Sequence, residues 1–244
     1  MSILSSVLTF TAIPVAATIL GGLAASFRTP SPQLRSAVQH FAAGVVFAAV
    51  ATELIPEIRK DHEPLGLVVG FVIGVIVMLG IRWFFERGGS IEETSSETQS
   101  DNPSSLIAAV GIDVLIDGIL IGVGFAAGER AGVLLTIALT LELLFLALST
   151  AASLAKSGFN RTRVFGTVLA IAGILVVGAL IGGGLLSGLK GFGLEVVLSF
   201  GVAALLYLVT EELLTEAHEV RETPWLTAMF FVGFLSLFLL EMLI

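Results

Sequence analysis

The sequence predicts an all-α, polytopic membrane protein whose eight transmembrane helices form a 3+2+3 inverted-repeat bundle. Three observations point there: an apolar composition, eight apolar stretches of spanning length, and an internal repeat whose copies face opposite sides of the bilayer. Of the 244 residues, 56% are apolar and only 13% charged. A water-soluble packing would leave much of that hydrocarbon exposed, so a bilayer is the matching solvent. Cysteine is absent, which removes disulfides and thiolate metal ligands and leaves the redox compartment unread. The net charge of −8 comes from acids in loops and at helix ends. No basic stripe follows a phosphate backbone, and no nucleic-acid partner is expected.

A helix needs about 20 apolar residues to cross roughly 30 Å of hydrocarbon. Such stretches run over 4–26, 37–56, 65–85, 106–128, 131–155, 164–186, 194–216 and 225–244, here helices 1 to 8 of a single transmembrane domain. Helix 1 is too long for a signal peptide, lacks a basic leading segment, and runs into Arg28-Thr29-Pro30 instead of a small-residue cleavage site. Pro14 within it predicts a kink, because proline removes one backbone hydrogen bond and crowds the preceding turn. Residues 88–105, rich in Ser, Thr, Glu and Gly, read as a flexible cytoplasmic linker and the only long break in the chain.

The basic residues orient the bundle. Odd-numbered loops carry Arg28, Arg35, Arg82, Arg87, Lys156, Arg161, Arg163 and Arg221, whereas even-numbered loops carry only Arg59, Lys60, Arg130 and Lys190. Positive residues favour the cytoplasm, so odd loops are expected inside and both termini outside.

Helices 2 and 7 end alike. Phe41 is followed twelve residues on by Glu53-Leu-Ile-Pro-Glu57, and Phe200 at the same distance by Glu212-Leu-Leu-Thr-Glu216. Helix 2 runs outward and helix 7 inward, so the acidic ends face opposite sides. A three-helix unit therefore occurs twice, inverted, with helices 4 and 5 between, as transporters built for alternating access often are.

A charge at the bilayer centre costs at least about 2.5–3.5 kcal/mol, so each intramembrane acid needs a reason. Asp113 and Asp117 on helix 4 are four residues apart, on one face and about 6 Å apart along the axis. Counted from the short loop around Gly128, Asp117 and Glu142 both lie about 15 Å down, near the midplane. Helices joined by so short a loop are neighbours, so these carboxylates can meet. Neither span contains a lysine or arginine to neutralise them. They must hold protons, hydrogen-bond to polar neighbours, or bind a cation. The bland alternative is a protonated acid joining two helices, but two acids on one face plus a third at matching depth favour a cation site. Oxygen donors suit Mn²⁺, Mg²⁺, Fe²⁺ or Zn²⁺, and without histidine or cysteine they lean toward the harder ions.

Away from the midplane, Glu53 and Glu57 are expected to line an extracellular mouth, and Glu211, Glu212, Glu216, His218 and Glu219 a cytoplasmic one. The competing reading for each is a solvated helix end. A lone interfacial histidine is more often solvated than ligating. His40 and His62 have no partner in the sequence, and Glu195 and Glu241 read as interfacial. Gly118 and Gly122 have small-xxx-small spacing, which permits close helix approach.

Phe41 to Glu57, Asp113-Val-Leu-Ile-Asp117-Gly118, Glu142-Leu-Leu-Phe-Leu146-Ala147-Leu148, and Tyr207-Leu-Val-Thr-Glu-Glu-Leu-Leu-Thr-Glu-Ala-His218 together resemble the ZIP (Zrt/Irt-like) family of divalent-metal transporters. The resemblance covers most of the chain. It implies eight helices in a 3+2+3 arrangement with both termini outside, and a metal pathway between helices 2, 4, 5 and 7. It further implies uptake toward the cytoplasm across the plasma (inner) membrane, and often a dimer. Against the family's His-Asn-x-Pro-(Asp/Glu)-Gly motif in helix 4, this chain keeps a ligand at Asp113, the acid at Asp117 and the glycine at Gly118, with Val114 and Ile116 replacing asparagine and proline. In helix 5 only Glu142 remains a ligand. The later acid has become Leu146, and Phe145 and Ala147 replace proline and glycine. In helix 6, Leu175 stands where the family usually has an acid. These departures remove the second position of a binuclear centre and leave one carboxylate site.

The expectation is transport of a divalent metal cation (zinc, iron, manganese, magnesium or similar) as substrate, with Asp113, Asp117 and Glu142 as ligands. Neither a resident cofactor nor enzymatic activity is expected. Two other classes compete. One is a non-transporting metal sensor or scaffold of the same fold. The other is an intramembrane aspartyl hydrolase, which usually draws its two acids from separate elements and here would draw both from one helix.

Overall fold

The computed structural model describes residues 3–25, 31–61, 63–88, 103–185 and 188–243, with the side chains of 61, 84–88 and 185 excepted. Among these residues there are no strands, and eight helices are long and apolar enough to cross a membrane. They are α1 (Ile3–Ala25), α2 (Pro32–Ala49, continuing through Val50–Leu54 and Ile55–Asp61), α3 (Pro64–Gly88), α4 (Pro103–Ala127), α5 (Glu129–Lys156), α6 (Arg161–Leu185), α7 (Phe192–Tyr207, continuing through Leu208–Leu213 and Leu214–Ala217) and α8 (Pro224–Leu243). Arg28, His62, the Arg87 side chain and most of the 88–105 linker lie outside the described residues. α1 runs as one helix through Pro14, with Thr18 donating its hydroxyl to the Pro14 carbonyl at 2.8 Å.

The helices begin earlier than their apolar stretches because polar capping residues open them. Ser31 caps α2 by accepting the Leu34 N–H at 3.3 Å, and Pro32 fills the first helical position, where a missing N–H costs nothing. Pro64, Pro103 and Pro224 open α3, α4 and α8 in the same position. Asn160 accepts the Arg163 N–H at 2.8 Å at the start of α6. Since α4 starts at Pro103, the last three residues of the expected linker are helical.

The packing carries the repeat into three dimensions. The most extensive contacts are α1 with α5, α4 with α6, α2 with α8 and α3 with α7. Exchanging α1–α3 with α6–α8, and α4 with α5, turns the first pair into the second and the third into the fourth. The smaller α2·α5 and α4·α7 contacts exchange likewise. Two groups of four result, α1/α4/α5/α6 and α2/α3/α7/α8.

Even the close approaches correspond. A β-carbon on Gly74 of α3 would lie 3.0 Å from the Phe200 carbonyl oxygen, and one on Gly233 of α8 would lie 2.1 Å from that of Phe41. Phe41 and Phe200 are the residues matched in the sequence repeat. Both acidic ends also pass through a π-helical turn. The Ile55 N–H bonds the Val50 carbonyl and the Leu214 N–H bonds the Val209 carbonyl, each five residues back. Such widened turns occur mostly as single insertions within α-helices, frequently at functional sites. Large apolar side chains such as Leu65, Ile76, Phe231 and Leu239 are exposed on α3 and α8, as helices bordering lipid require.

Candidate metal centre

α4 and α5 are antiparallel neighbours separated only by Gly128. One turn of α4 separates Asp113 from Asp117, and the short connection brings Glu142 of α5 to the same depth. One carboxylate oxygen from each of the three lies within 4.8 Å of the others. Asp117 and Glu142 are buried, at 2% and 4% exposure, and Asp113 is partly buried. Asp117 Oδ2 and Glu142 Oε2 are enclosed without a hydrogen-bond partner. Among the described residues no lysine or arginine forms an ion pair with any of the three, and the ion pairs lie elsewhere.

The physics of this arrangement is severe. Buried acceptors without donors cost roughly 1–3 kcal/mol each, more when charged. Like charges at this separation in a low dielectric can all remain ionised only with a cation among them; otherwise they must hold protons. An oxygen-lined cluster of this size can therefore take up a cation, and a hard one best matches its donors.

A cavity of about 1000 Å³ leads from the cluster to the odd-loop end of the bundle. Asp113 and Glu142 border its deep end, and Asp117 lies behind them. Gln39, Glu212 and Glu216 line its flank, and Arg35, Lys156 and Glu219 its mouth. Leu146, one turn beyond Glu142, faces the same space.

The remaining acids expected along a pathway divide between two environments. Glu212 and Glu216 line the cavity. Glu216 is held by Arg35 Nη2 at 2.8 Å and accepts a hydrogen bond from Gln39 Nε2. Glu211 points away and pairs with Arg82 at 2.6 Å. His218 is not part of the cavity wall; its ring lies 5.2 Å from that of buried His40, and its Nε2 is 3.1 Å from Glu222. At the opposite end, Glu57 pairs with Lys60 at 2.5 Å and Glu53 with Arg130 at 3.2 Å.

Two acids read as interfacial do lie in the end turns of α7 and α8, and the protein also encloses them. Glu195 is 3% exposed, packed where Gly66 of α3 leaves room for it. Glu241 is largely enclosed beside Arg130. Arg35 and Gln39, on one face of α2 by their spacing of four, were legible as a polar patch inside an apolar helix, but nothing local named Glu216 as their partner. No protein-family model matches the chain, and no curated protein matches it.

Proposed function

We propose that this chain is a secondary transporter of divalent metal cations, moving them across the membrane through a single site made by Asp113, Asp117 and Glu142. The observation that carries the reading is the convergence of three carboxylates, two of them buried with an unpartnered oxygen, at the blind end of an open cavity. A cation is the simplest species that answers both the missing hydrogen bonds and the mutual repulsion. It has an open path to the cluster from the odd-loop side. The inverted repeat supports alternating access, and the motif resemblance to ZIP transporters supports the substrate class.

In this reading a cation at the centre exchanges water for Asp117 oxygen behind it and Asp113 and Glu142 oxygen at its sides. Glu212 and Glu216 then offer successive carboxylates along the way out. The Arg35 guanidinium already neutralises part of Glu216, which weakens that last station and favours release. The donor set leans toward Mn²⁺, Mg²⁺ or Fe²⁺ over Zn²⁺.

The test is flux into liposomes reconstituted with the full chain, with each of the four ions offered separately, beside metal analysis of the purified protein and of an Asp113→Ala, Asp117→Ala, Glu142→Ala variant. Flux and a bound element lost in the variant are expected; absence of flux for every ion overturns the proposal. A second reading, a metal sensor or scaffold, is favoured by one observation: Leu146 occupies the cavity wall where the ZIP motif has an acid. Bound metal without flux would select it.

The orientation has its own test, helped by the absence of cysteine. Ser157→Cys, between α5 and α6, is expected to react with a membrane-impermeant maleimide only from the cytoplasmic side. Glu129→Cys, at the exposed start of α5, is expected to react only from outside. The reverse pattern would turn the cavity outward.

A further inference from the structure

The route on the other side of the centre is closed, and its closure is built differently from the cavity wall. One turn outward from Glu142, on the same face of α5, stands Ala138, with Leu134, Leu135 and Leu139 around it, all at most 1% exposed. Above this apolar layer sits Arg130. Its Nε lies 3.2 Å from Glu53 Oε1, and its Nη2 lies 3.3 Å from Glu241 Oε1 and donates to the Glu241 carbonyl at 2.6 Å.

The repeat makes this arrangement informative. Glu53 matches Glu212, which faces the open cavity, so equivalent acids meet opposite fates: one lines the cavity and the other is held by a guanidinium. The same register matches Glu241 with Arg82. Where α3 supplies a cation directly to Glu211 of α7, α8 supplies an acid beside Glu53 of α2, and the cation must come from elsewhere. It comes from α5, in the other group of helices. The pairs Arg35–Glu216 and Arg82–Glu211 join helices within the α2/α3/α7/α8 group, whereas Arg130 ties that group to α1/α4/α5/α6.

We propose that Arg130 is an ionic latch that holds the outer side of the pathway shut, its guanidinium taking the place at Glu53 that the passing metal ion takes when that side is open. The proposal rests on the transport reading above. Two carboxylates share one guanidinium, so an arriving divalent cation can compete for them. A ligand opens a closed state only if it interacts better with the open one, and displacement of Arg130 supplies that difference. Half of the Arg130 side chain is exposed, which leaves it room to swing away. Glu53 sits in the π-helical turn of α2, where the backbone is already out of α-helical register.

The test uses Ala138→Cys as the sole cysteine in the full chain, expressed in cells and exposed to a charged, membrane-impermeant thiosulfonate from outside. With Arg130 intact, labelling is expected to be slow. Adding Arg130→Gln should speed it by up to about five-fold, the order expected when a partly exposed ion pair stops biasing a two-state equilibrium. Arg130→Lys should stay near the parent. Glu241→Gln, which weakens the same latch from the other helix, should accelerate labelling too and carries the test if Arg130→Gln fails to fold. Unchanged labelling in the glutamine variants, or equal acceleration by Arg130→Lys, overturns the latch. The flux assay separates the two proposals. Flux with unchanged labelling rejects the latch alone, and accelerated labelling without flux rejects transport while leaving Arg130 as the closure of the outer face.

Discussion

Replacing Glu142 by glutamine is expected to abolish metal-dependent thermal stabilisation and to cut flux at least about a hundred-fold, while raising the melting temperature of the protein without added metal. The loss follows from ligand number, since even outer partners of a metal ligand cost about 10–100-fold when removed and Glu142 is one of the three acids that, among the described residues, come within 4.8 Å of one another. The gain follows from what the carboxylate does in the absence of an ion. It is buried, has an unpartnered oxygen, and lies beside two further carboxylates. An amide of the same shape removes one like charge and brings an N–H that can donate to Asp113 or Asp117, a type of bond contributing about 1.5–3 kcal/mol when its acceptor is charged. Opposite signs for stability and activity mark a site kept for binding. If Glu142 were interhelical glue, the variant would melt lower and metal would be irrelevant. Melting curves with and without Mn²⁺, together with the liposome assay, decide it, and Asp117→Asn should behave in the same way.

The spans and the three central acids were legible because each leaves a local mark. Apolar length locates a helix, a spacing of four puts Asp113 beside Asp117, and equal counts from one tight loop put Glu142 at their depth. The acidic repeat at Glu53 and Glu212 was legible for the same reason. Helix starts were read several residues late at α2, because hydropathy is blind to Ser31, Pro32 and Arg35, and these polar residues begin the helix at the cavity mouth. Partnerships between distant helices left no mark at all. Arg130 with Glu53 and Glu241, Gln39 with Glu216, and His40 with His218 join residues from 77 to 178 positions apart, and only the fold decides which acid meets which cation. The enclosure of Glu195 and Glu241 left no mark for a related reason. Nearness to a helix end implies solvent only when no neighbouring helix covers that end, and Gly66 in one case and Arg130 in the other supply the cover.

Gly122→Val and Gly178→Val are each expected to push α4 away from α6, lowering the melting temperature and weakening metal binding together. A β-carbon on Gly118 would lie 2.3 Å from the Leu175 carbonyl oxygen, and one on Gly122 would lie 2.3 Å from the Gly183 nitrogen. The approach is reciprocal: β-carbons on Gly178 and Gly182 would lie 2.3 and 2.2 Å from the carbonyl oxygens of Leu115 and Ile119. These are backbone atoms of a facing helix and cannot rotate aside, so the helices must part. Overpacking of this kind typically costs about 1–3 kcal/mol, with the further loss of the close contact on which helix association in lipid depends. Gly80, Gly166 and Gly173 would meet nothing within 4 Å, and alanine there should be neutral or stabilising by up to about 1 kcal/mol through helix propensity. The contrast matters for function because Asp117 immediately precedes Gly118, so a displaced α4 carries Asp117 away from Glu142 on α5. Weakened binding should therefore track lost stability at Gly118, Gly122 and Gly178 and be absent at the three open glycines. Thermal unfolding followed by circular dichroism, with metal titrated in, would reveal it. A valine at Gly122 that left both quantities unchanged would mean that the α4–α6 contact does not set the position of the acids.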